Sequence, residues 1–486
     1  MREEIPPTAE RTRHVDAGDA GYSKALSARH INMIAIGGAI GTGLFLGAGG
    51  RLHDAGPSLA LAYAVCGVFA FFVVRALGEL ILHRPSSGSF VSYSREFMGE
   101  KGAYVGGWLY FLNWATTGIA DITAIAMYTH YWSLFSPVPQ WALALAALAV
   151  VLVVNLISVK IFGEMEFWFA IIKVAALVLF MFIGIFLLAT GRQVGGHDGG
   201  VHLLVQDGGF LPNGILPLVL VIQGVVFAYA SVELVGVTAG ETAEPEKIMP
   251  KAINSIMWRI GVFYVGSVLL LAMLLPSSAF SADESPFVTV LSRLGVPAAG
   301  DVMNLVVLTA AMSSLNSGLY STGRILRSMA MAGSAPRFTG VMSRNQVPYG
   351  GILLTSVACI FGVGLNYALP EKAFEIILNF AAIGILGTWG MIILCHILFV
   401  RKAGAGEAVR PSFRLPGSPW TDLATLAFFA AVIVLMWFDE AGRYTLMSLP
   451  VLAAALFIGW FAVRGRITAI AAERDRDGDR AAVPAE

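Results

Sequence analysis

Long apolar runs separated by short polar segments occupy the chain from about residue 31 to residue 463. A helix needs about 20 residues to cross a bilayer core, and a window of that length predicts membrane-spanning helices. Twelve such spans lie near residues 31–52, 58–82, 103–133, 141–158, 165–190, 214–240, 254–276, 301–328, 350–369, 373–400, 421–438 and 444–463. No loop has the alternating strand and helix pattern of a soluble catalytic domain. The pattern predicts an all-α integral membrane protein whose chemistry lies between its helices.

The first span is unusually rich in glycine. Its segment "GGAIGTGLFLGAGG", residues 37–50, has seven glycines in fourteen positions. Glycine costs about 1 kcal/mol per helical position relative to alanine, so this segment is a poor continuous helix. One explanation is close helix packing, to which spacings such as Gly43-x-x-x-Gly47 are suited. The other is a break at Gly41-Thr42-Gly43, which a membrane tolerates only where the backbone is buried in protein or lines a cavity.

A break at this point creates free backbone groups on both sides. The half-helix that begins near Thr42 presents free amides and a positive dipole end, which suit a carboxylate. The half-helix that ends near Ala39 and Ile40 presents free carbonyls, which suit an ammonium group or a cation. Donors beside acceptors predict a binding site for an amino acid.

The sixth span contains a second disrupted segment, "VIQGVVFAYASVELVGVTAGE", with the ionisable Glu233 inside an apolar run. It lies five spans after the first, as two inverted repeats of five helices require. Glu233 is either a structural acid bonded to nearby backbone or a group that takes part in proton coupling. We therefore expect a 5+5 inverted-repeat fold with broken helices 1 and 6. Its parts are a first repeat over 30–190, an external loop 191–213, a second repeat over 214–400, helices 11 and 12 in 401–465, and disordered tails at 1–29 and 466–486.

Composition agrees with a membrane location and excludes several other classes. Hydrophobic residues make up 57% of the chain and charged residues 13%. Most Lys and Arg lie in the two tails and the even-numbered loops, so the positive-inside rule predicts a cell-membrane protein with both termini cytoplasmic. The 32 basic and 32 acidic side chains cancel, and the absence of a basic run excludes a nucleic-acid partner. The eight histidines are scattered and the three cysteines isolated, so the sequence predicts no metal site. It also lacks the motif of a catalytic nucleophile, so it does not predict an enzyme.

A few polar residues within the spans are candidates for function. Lys173 is the only lysine in the middle of a span, and an apolar environment favours release of its proton, so we expect a coupling role rather than a snorkelling side chain. Asp121 can bind a carboxamide, accept the coupling proton or only bond a neighbouring helix. Asn316 can bind a carboxamide or hold two helices together. Arg75 and Glu79 are four residues apart and are expected to form a structural ion pair.

Five ordered motifs give the chain a resemblance to a known family. They are "GGAIGTGLFLGAG", "RPSSGSFVSYSREFMG", "GEMEFWFAIIKV", "AGETAEPEKIMPKAI" and "LNSGLYSTGRILRSMA". Over about residues 25–465, the sequence resembles the amino acid permease family of the amino acid–polyamine–organocation superfamily. Within that family, "NWATTGIADITAIAMYTHYW" and "PQWALALAAL" are most similar to bacterial L-asparagine permeases.

The resemblance implies a twelve-helix secondary transporter that imports an amino acid, L-asparagine, by proton symport with alternating access. It implies no cofactor beyond the proton gradient and no partners beyond the substrate and membrane lipids, and it sets no oligomeric state. The alternatives are a permease or exchanger for GABA, D-serine, glycine or glutamine, and a sensor that binds an amino acid without transporting it. Short tails without a signalling extension argue against the sensor.

The resemblance also implies roles for residues of the two disrupted segments. Thr42 and the amide of Gly43 bind the substrate carboxylate, whereas the carbonyls of Ala39, Phe227 and Ala230 bind its ammonium group. The ring of Phe227 is also placed to act as a lid over the substrate.

Two further positions bear on geometry and coupling. Ser231, in "FAYASVE", stands where family members commonly have glycine, and its hydroxyl can instead contact the ligand. In related transporters a lysine at the position of Lys173 occupies the place of a sodium ion. The resemblance therefore implies proton rather than sodium coupling.

Overall fold

The architecture is that of a computed structural model, which describes Arg29, Met33 and residues 40–86, 88–206, 209–239, 244–296, 298–369 and 373–481. Most of these residues are helical, and an isolated bridge between Val194 and His197 is the only β pairing among them. Ala39 and the rest of residues 34–39 lie outside the described ranges. The all-α prediction is therefore confirmed for the described part of the chain.

Seventeen α-helices can be numbered along the described chain. They are α1 (Thr42–Phe45), α2 (Ala48–Ala55), α3 (Leu59–His83), α4 (Ser89–His130), α5 (Gln140–Ile157), α6 (Val159–Thr190), α7 (Ile215–Leu220), α8 (Ile222–Ala228), α9 (Leu234–Thr238), α10 (Pro245–Arg259), α11 (Ser267–Leu274), α12 (Pro286–Ser292), α13 (Ala299–Met331), α14 (Tyr349–Ala368), α15 (Ala373–Gly404), α16 (Trp420–Met436) and α17 (Glu440–Ala481). A π-helical stretch, Ile260–Gly266, joins α10 to α11.

Eight helical stretches of the described residues are long and apolar enough to cross a membrane. Two shorter apolar stretches, Ile215–Ala228 and Trp420–Met436, are below the usual length for a straight crossing. The first is short because the sixth predicted span is interrupted. The chain is thus a multi-pass membrane protein, whereas the number of twelve crossings and the 5+5 repeat remain predictions.

The centre of the molecule is formed by α4, which packs along α13 and α15. These helices carry the buried polar residues Asn113, Asp121, Ser313, Asn316 and Trp389. At the periphery, the most apolar stretch of α17 has no buried residue, as expected for a helix that faces lipid. The polar candidates therefore lie between helices and away from the lipid surface.

The long helix α4 changes direction at Gly99, whose φ of 76° is one that few other residues adopt. Just before this kink, and before the predicted membrane span, Glu96 accepts hydrogen bonds from His83 at 3.0 Å and Arg84 at 3.1 Å. Burial disfavours the charged carboxylate, but the His83 hydrogen bond and the charge of Arg84 outweigh burial and hold the pKa of Glu96 below its ordinary value. Glu96 thus joins the end of α3 to the start of α4.

The prediction of a disordered C-terminal tail is wrong as far as Ala481, because α17 continues through most of residues 466–486. Contacts with the body of the protein accompany this continuation. The guanidinium of Arg466 donates to the carbonyls of Gly333 and Ala335, and Arg474 pairs with Glu100 at 3.1 Å. These tertiary contacts explain helical order in a segment whose composition alone indicated a solvated tail.

Candidate functional site

The first predicted span is interrupted at the glycine-rich segment. Gly41 has an extended backbone, with φ −136° and ψ −159°, and α1 begins directly after it at Thr42. No side chain of the described residues caps this helix start, while the amides of Leu44 and Phe45 donate to the Gly41 carbonyl. The amides of Thr42 and Gly43 precede the first helical hydrogen bonds and donate to no backbone acceptor within the described ranges, so a ligand can accept from them. The half-helix that was predicted to end near Ala39 lies outside the described residues.

The sixth predicted span is interrupted between the end of α8 at Ala228 and the start of α9 at Leu234. Within this turn Ser231 has φ 80°, in the left-handed region. That conformation costs a residue with a side chain about 1–2 kcal/mol, whereas glycine adopts it freely. Ser231 therefore has a backbone conformation that favours glycine, at the position where the resemblance implies a glycine.

The two interruptions touch each other through their backbones. A Cβ atom on Gly43 would lie 2.4 Å from the Ala228 Cα and 3.0 Å from a ring carbon of Phe227. Only glycine permits this approach. By contrast, a Cβ on Gly41 would make an ordinary contact of 3.6 Å with Ser314. Gly43 therefore brings the amides at the start of α1 beside the end of α8, which explains this glycine better than general helix packing does.

Carbonyl acceptors lie on the α8 side of the contact. The Phe227 carbonyl accepts the amides of Tyr229 and Ala230, the latter at 3.0 Å, whereas among the described residues no backbone amide donates to the Ala230 carbonyl. Ile40 and Phe227 are almost completely buried. The contact thus combines amide donors, carbonyl acceptors and an aromatic ring in a space that is closed to bulk solvent.

Asp121 of α4 reaches the same place. The hydroxyl of Thr42 donates to Asp121 Oδ1 at 2.9 Å, and the carboxyl group is fully buried. Ser314 of α13 lies beside this carboxyl, but no hydrogen bond of good geometry reaches Oδ2 from the described residues. A buried carboxylate oxygen without a donor is costly, so Oδ2 is a ready acceptor for a ligand N–H group.

A second polar group surrounds Lys173 on α6. Its ammonium donates to Ser313 Oγ at 2.8 Å and lies 3.9 Å from Glu166 Oε1, and the Ser313 hydroxyl donates to Glu166 in turn. Both charged side chains are buried. Ser313 therefore links the ammonium to the carboxylate through two hydrogen bonds.

The same group includes Asn316, whose side-chain amide forms hydrogen bonds through both its nitrogen and its oxygen. Its Nδ2 donates to Glu166 Oε2 at 3.4 Å, and its Oδ1 accepts from Asn155 Nδ2 at 2.7 Å. Sequence reasoning missed Glu166 and Asn155. Glu166 precedes Lys173 by seven residues, which is about two helical turns, so their shared helix face was the available signal.

Glu233, at the end of the second interruption, is held by two other helices. Asn113 Nδ2 of α4 donates to it at 3.3 Å and Trp389 Nε1 of α15 at 3.1 Å. The carboxylate also contacts the backbone amides of Ser231 and Glu233, so its partners agree with the structural alternative of an acid bonded to nearby backbone. A coupling role for Glu233 stays a prediction.

The expected Arg75–Glu79 ion pair is not formed. Glu79 instead accepts from Arg410 and His396, and from the Leu415 amide, while Arg75 donates to the Arg414 carbonyl and stacks on the Phe413 ring at 3.4 Å. Helical spacing allows the pair, but both side chains reach partners in the segment after α15 that satisfy them better. His396 also contacts Asp422 at 2.8 Å, so this cluster joins α3, α15 and α16. No group of His, Cys, Asp and Glu suited to a metal ion occurs among the described residues.

Comparison with known proteins shows which family the chain belongs to. The family model for amino acid permeases matches residues 30–472. An L-asparagine permease of Streptomyces coelicolor is 74% identical over 448 residues, which cover 92% of both chains. An L-asparagine permease of Salmonella typhimurium is 59% identical over 446 residues, covering 92% of this chain and 90% of the relative. L-asparagine permease 2 of Mycobacterium bovis is 60% identical over 436 residues, 90% of each chain. Because the match extends over nearly the whole chain and includes both interrupted helices, the protein belongs to the amino acid permease family.

Proposed function

We propose that this protein imports L-asparagine across the cell membrane by proton symport. Membership of the amino acid permease family and three relatives named L-asparagine permease support the substrate class. The observation that carries the proposal is the contact of the two interrupted helices at Gly43 and Ala228, with the buried Asp121 beside it. Amide donors, carbonyl acceptors and a carboxylate together match the groups of an amino acid whose side chain ends in N–H donors.

The proposed architecture has twelve membrane helices, with both termini in the cytoplasm. Residues 30–190 and 214–400 form the two inverted repeats, and residues 401–465 contribute the last two helices to the repeat core. Interruptions in the first and sixth spans, at corresponding positions of the two halves, support this arrangement. The surrounding partners are membrane lipids.

In the proposed complex, the substrate carboxylate binds the amides of Thr42 and Gly43, because the Thr42 hydroxyl donates its proton to Asp121. The ammonium group binds the carbonyls beside the two interruptions, which are those of Ala39, Ile40, Phe227 and Ala230. A carboxamide N–H of asparagine then donates to Asp121 Oδ2, the acceptor that lacks a donor within the described chain. The left-handed Ser231 directs its hydroxyl as an additional ligand contact, and Phe227 closes over the bound substrate.

Proton coupling is proposed to use Lys173 together with Glu233. The contacts of Lys173 supply a route: its ammonium can pass a proton to Ser313 as Ser313 passes its own proton to Glu166, which leaves a neutral amine and a neutral carboxyl. Asn316 donates to Glu166 and so orients its carboxylate for this transfer, which makes the effect of Asn316 on substrate transport indirect. A fixed cation on α6 also disfavours sodium binding nearby by charge repulsion.

Uptake by purified protein in liposomes tests the proposal. We expect labelled asparagine to accumulate when an inward proton gradient is imposed, without Na⁺, and to be displaced by excess unlabelled asparagine. A thermal-shift panel of asparagine, glutamine, GABA, aspartate and D-serine should give the largest stabilisation with asparagine. Preference for GABA or D-serine would refute the substrate. A requirement for Na⁺ with no response to the pH gradient would refute the coupling. Counterflow that depends on internal substrate, without net uptake, would indicate an exchanger.

A further inference from the structure

A polar cavity of about 440 Å³ lies beside the first interruption, on the side of the membrane that is predicted to be external. Its lining includes Arg51 of α2, Gly224 of α8, Asn213, Gln223 and Asp439, which comes just before α17. The volume is within the range of about 300–1,000 Å³ that is usual for small-molecule sites. The proposed substrate site described above does not use any of these five residues.

Arg51 is a buried cation that forms no ion pair within the described chain. The residue is 8% exposed, and no carboxylate of the described residues lies within ion-pair distance of it. It donates to the Gly43 carbonyl at 3.2 Å and lies against the hydroxyl of Tyr63. Asp54 of the same helix also lines the cavity and acts on Arg51 from beyond ion-pair distance, so the positive charge is only partly compensated, which is expensive for a buried group. A buried cation beside a cavity is suited to bind an anionic ligand.

Two glycines make room for the guanidinium. A Cβ on Gly224 would lie 2.4 Å from Arg51 Nε, and a Cβ on Gly47 would lie 2.5 Å from one of its terminal nitrogens. Any side chain at either position would displace Arg51. The guanidinium therefore occupies a space formed by both interrupted helices, and its contact with Gly43 puts it next to the proposed substrate site.

The cavity lining also supplies a carboxylate and an unused acceptor. Asp439 Oδ2 accepts from Gln223 Nε2 at 3.1 Å and from the Gly442 amide at 2.7 Å, which fixes the carboxylate in the lining. Gln223 Oε1 is buried and has no hydrogen-bond partner among the described residues. A cation, a carboxylate and a free amide oxygen in one cavity match the carboxylate and ammonium of a zwitterion.

We propose that this cavity is an outer binding site, in which Arg51 binds the carboxylate of an incoming α-amino acid before it moves to the interruption. The inference rests on the proposed function as an importer. Arg51 recognises the carboxylate that all α-amino acids share, so this site concentrates amino acids without selecting the side chain. Selection is left to the site at Asp121. Gly43 connects the two, because its carbonyl accepts from Arg51 and its amide belongs to the inner site.

Protection of a cysteine in the cavity tests the proposal. Asn213→Cys provides an exposed thiol in the lining, whereas Cys66, Cys359 and Cys395 are buried, so the unmodified protein is the background control. The rate of modification by a membrane-impermeant thiol reagent is measured with increasing asparagine. Asparaginol, in which a hydroxymethyl group replaces the carboxylate, is the matched ligand control. The cysteine is then combined separately with Arg51→Gln, with Arg51→Lys, and with Thr42→Trp, which blocks the inner site.

We expect asparagine to slow modification of Asn213→Cys, and asparaginol to leave it unchanged. Arg51→Gln should raise the asparagine concentration for half protection by about tenfold or more, because a charge-assisted hydrogen bond is lost. Arg51→Lys keeps the charge and should raise it less, which separates loss of charge from misfolding. With Thr42→Trp, protection should persist although uptake is abolished.

Equal protection with Arg51→Gln, protection by asparaginol, or loss of protection with Thr42→Trp would overturn the outer site. Failure of the proposed function has a different signature. If the unmodified protein takes up another amino acid instead of asparagine, the substrate proposal is refuted, while Arg51-dependent protection by that amino acid and by asparagine still supports the outer site.

Discussion

Replacing Gly43 by alanine adds one methyl group at the contact between the two interrupted helices. The new carbon would lie 2.4 Å from the Ala228 Cα and 2.9 Å from the Ala228 amide nitrogen. Both of these atoms belong to the backbone, so no side-chain rotation relieves the overlap. Non-bonded carbon atoms rest about 3.5–4.0 Å apart, so α1 and α8 must separate by about 1 Å.

This separation has a cost in stability and a cost in binding. Overpacking of a well-packed core costs about 1–3 kcal/mol, which is the expected loss in the free energy of unfolding of Gly43→Ala. The amides at Thr42 and the carbonyls at the end of α8 bind one substrate only while they stay at their present spacing. We expect the affinity for asparagine to fall about tenfold or more, which corresponds to about 1.4 kcal/mol or more.

Ligand-dependent thermal stability measures both effects on purified protein. At asparagine 100 times the wild-type dissociation constant, bound ligand stabilises the wild type by about 2.7 kcal/mol. A tenfold weaker site would be stabilised by only about 1.4 kcal/mol at the same concentration. The unfolding temperature without ligand reports the packing cost separately.

Gly41→Ala is the matched control, because its methyl group would contact Ser314 at an ordinary 3.6 Å and its backbone is extended. We expect it to bind asparagine with little change. If Gly43→Ala binds asparagine as the wild type does, the contact between α1 and α8 does not form the substrate site. Equal loss in both variants would show that the segment tolerates no added methyl group, and the steric argument for Gly43 would be wrong.

Three further substitutions probe other contacts. Asp121→Asn keeps an acceptor for Thr42 but turns the unpaired oxygen into a donor, so thermal-shift binding of asparagine should weaken; unchanged binding would remove Asp121 from the site. Lys173→Met leaves Glu166 as an unpaired buried charge and should lower the free energy of unfolding by about 3–5 kcal/mol. Adding Glu166→Gln removes that charge and should restore much of the lost free energy, which denaturation of the double variant measures. Because the pKa of Glu96 is lowered in the folded protein, its contribution to stability is present above the pKa of the unfolded carboxyl and is lost as pH falls through the folded pKa. Glu96→Gln should therefore flatten the decline of the unfolding temperature with acidification. A decline as steep as that of the wild type would contradict the assignment.

The two interruptions were predictable from the sequence because they depend on the backbone. Glycine content is a local property, so the interruptions near Thr42 and in the sixth span followed from the glycines and from the separation of the two segments. The partners of charged side chains were not predictable in this way. Arg75 and Glu79 have the spacing of an ion pair, but each contacts residues more than 150 positions away in the chain.

The sequence by itself determined that this is an all-helical membrane protein, where its apolar helices lie and which two are interrupted, since apolar length and glycine content act locally. Only the tertiary structure decided that Ser313 links Lys173 to Glu166, that Gly43 lies against Ala228, and that Arg51 lines a polar cavity with Asp439. The same holds for the helical C-terminal segment, which its contacts to Gly333 and Glu100 stabilise. Pairing between distant residues depends on how helices pack, and helical periodicity specifies which face a residue occupies but not which neighbour that face meets.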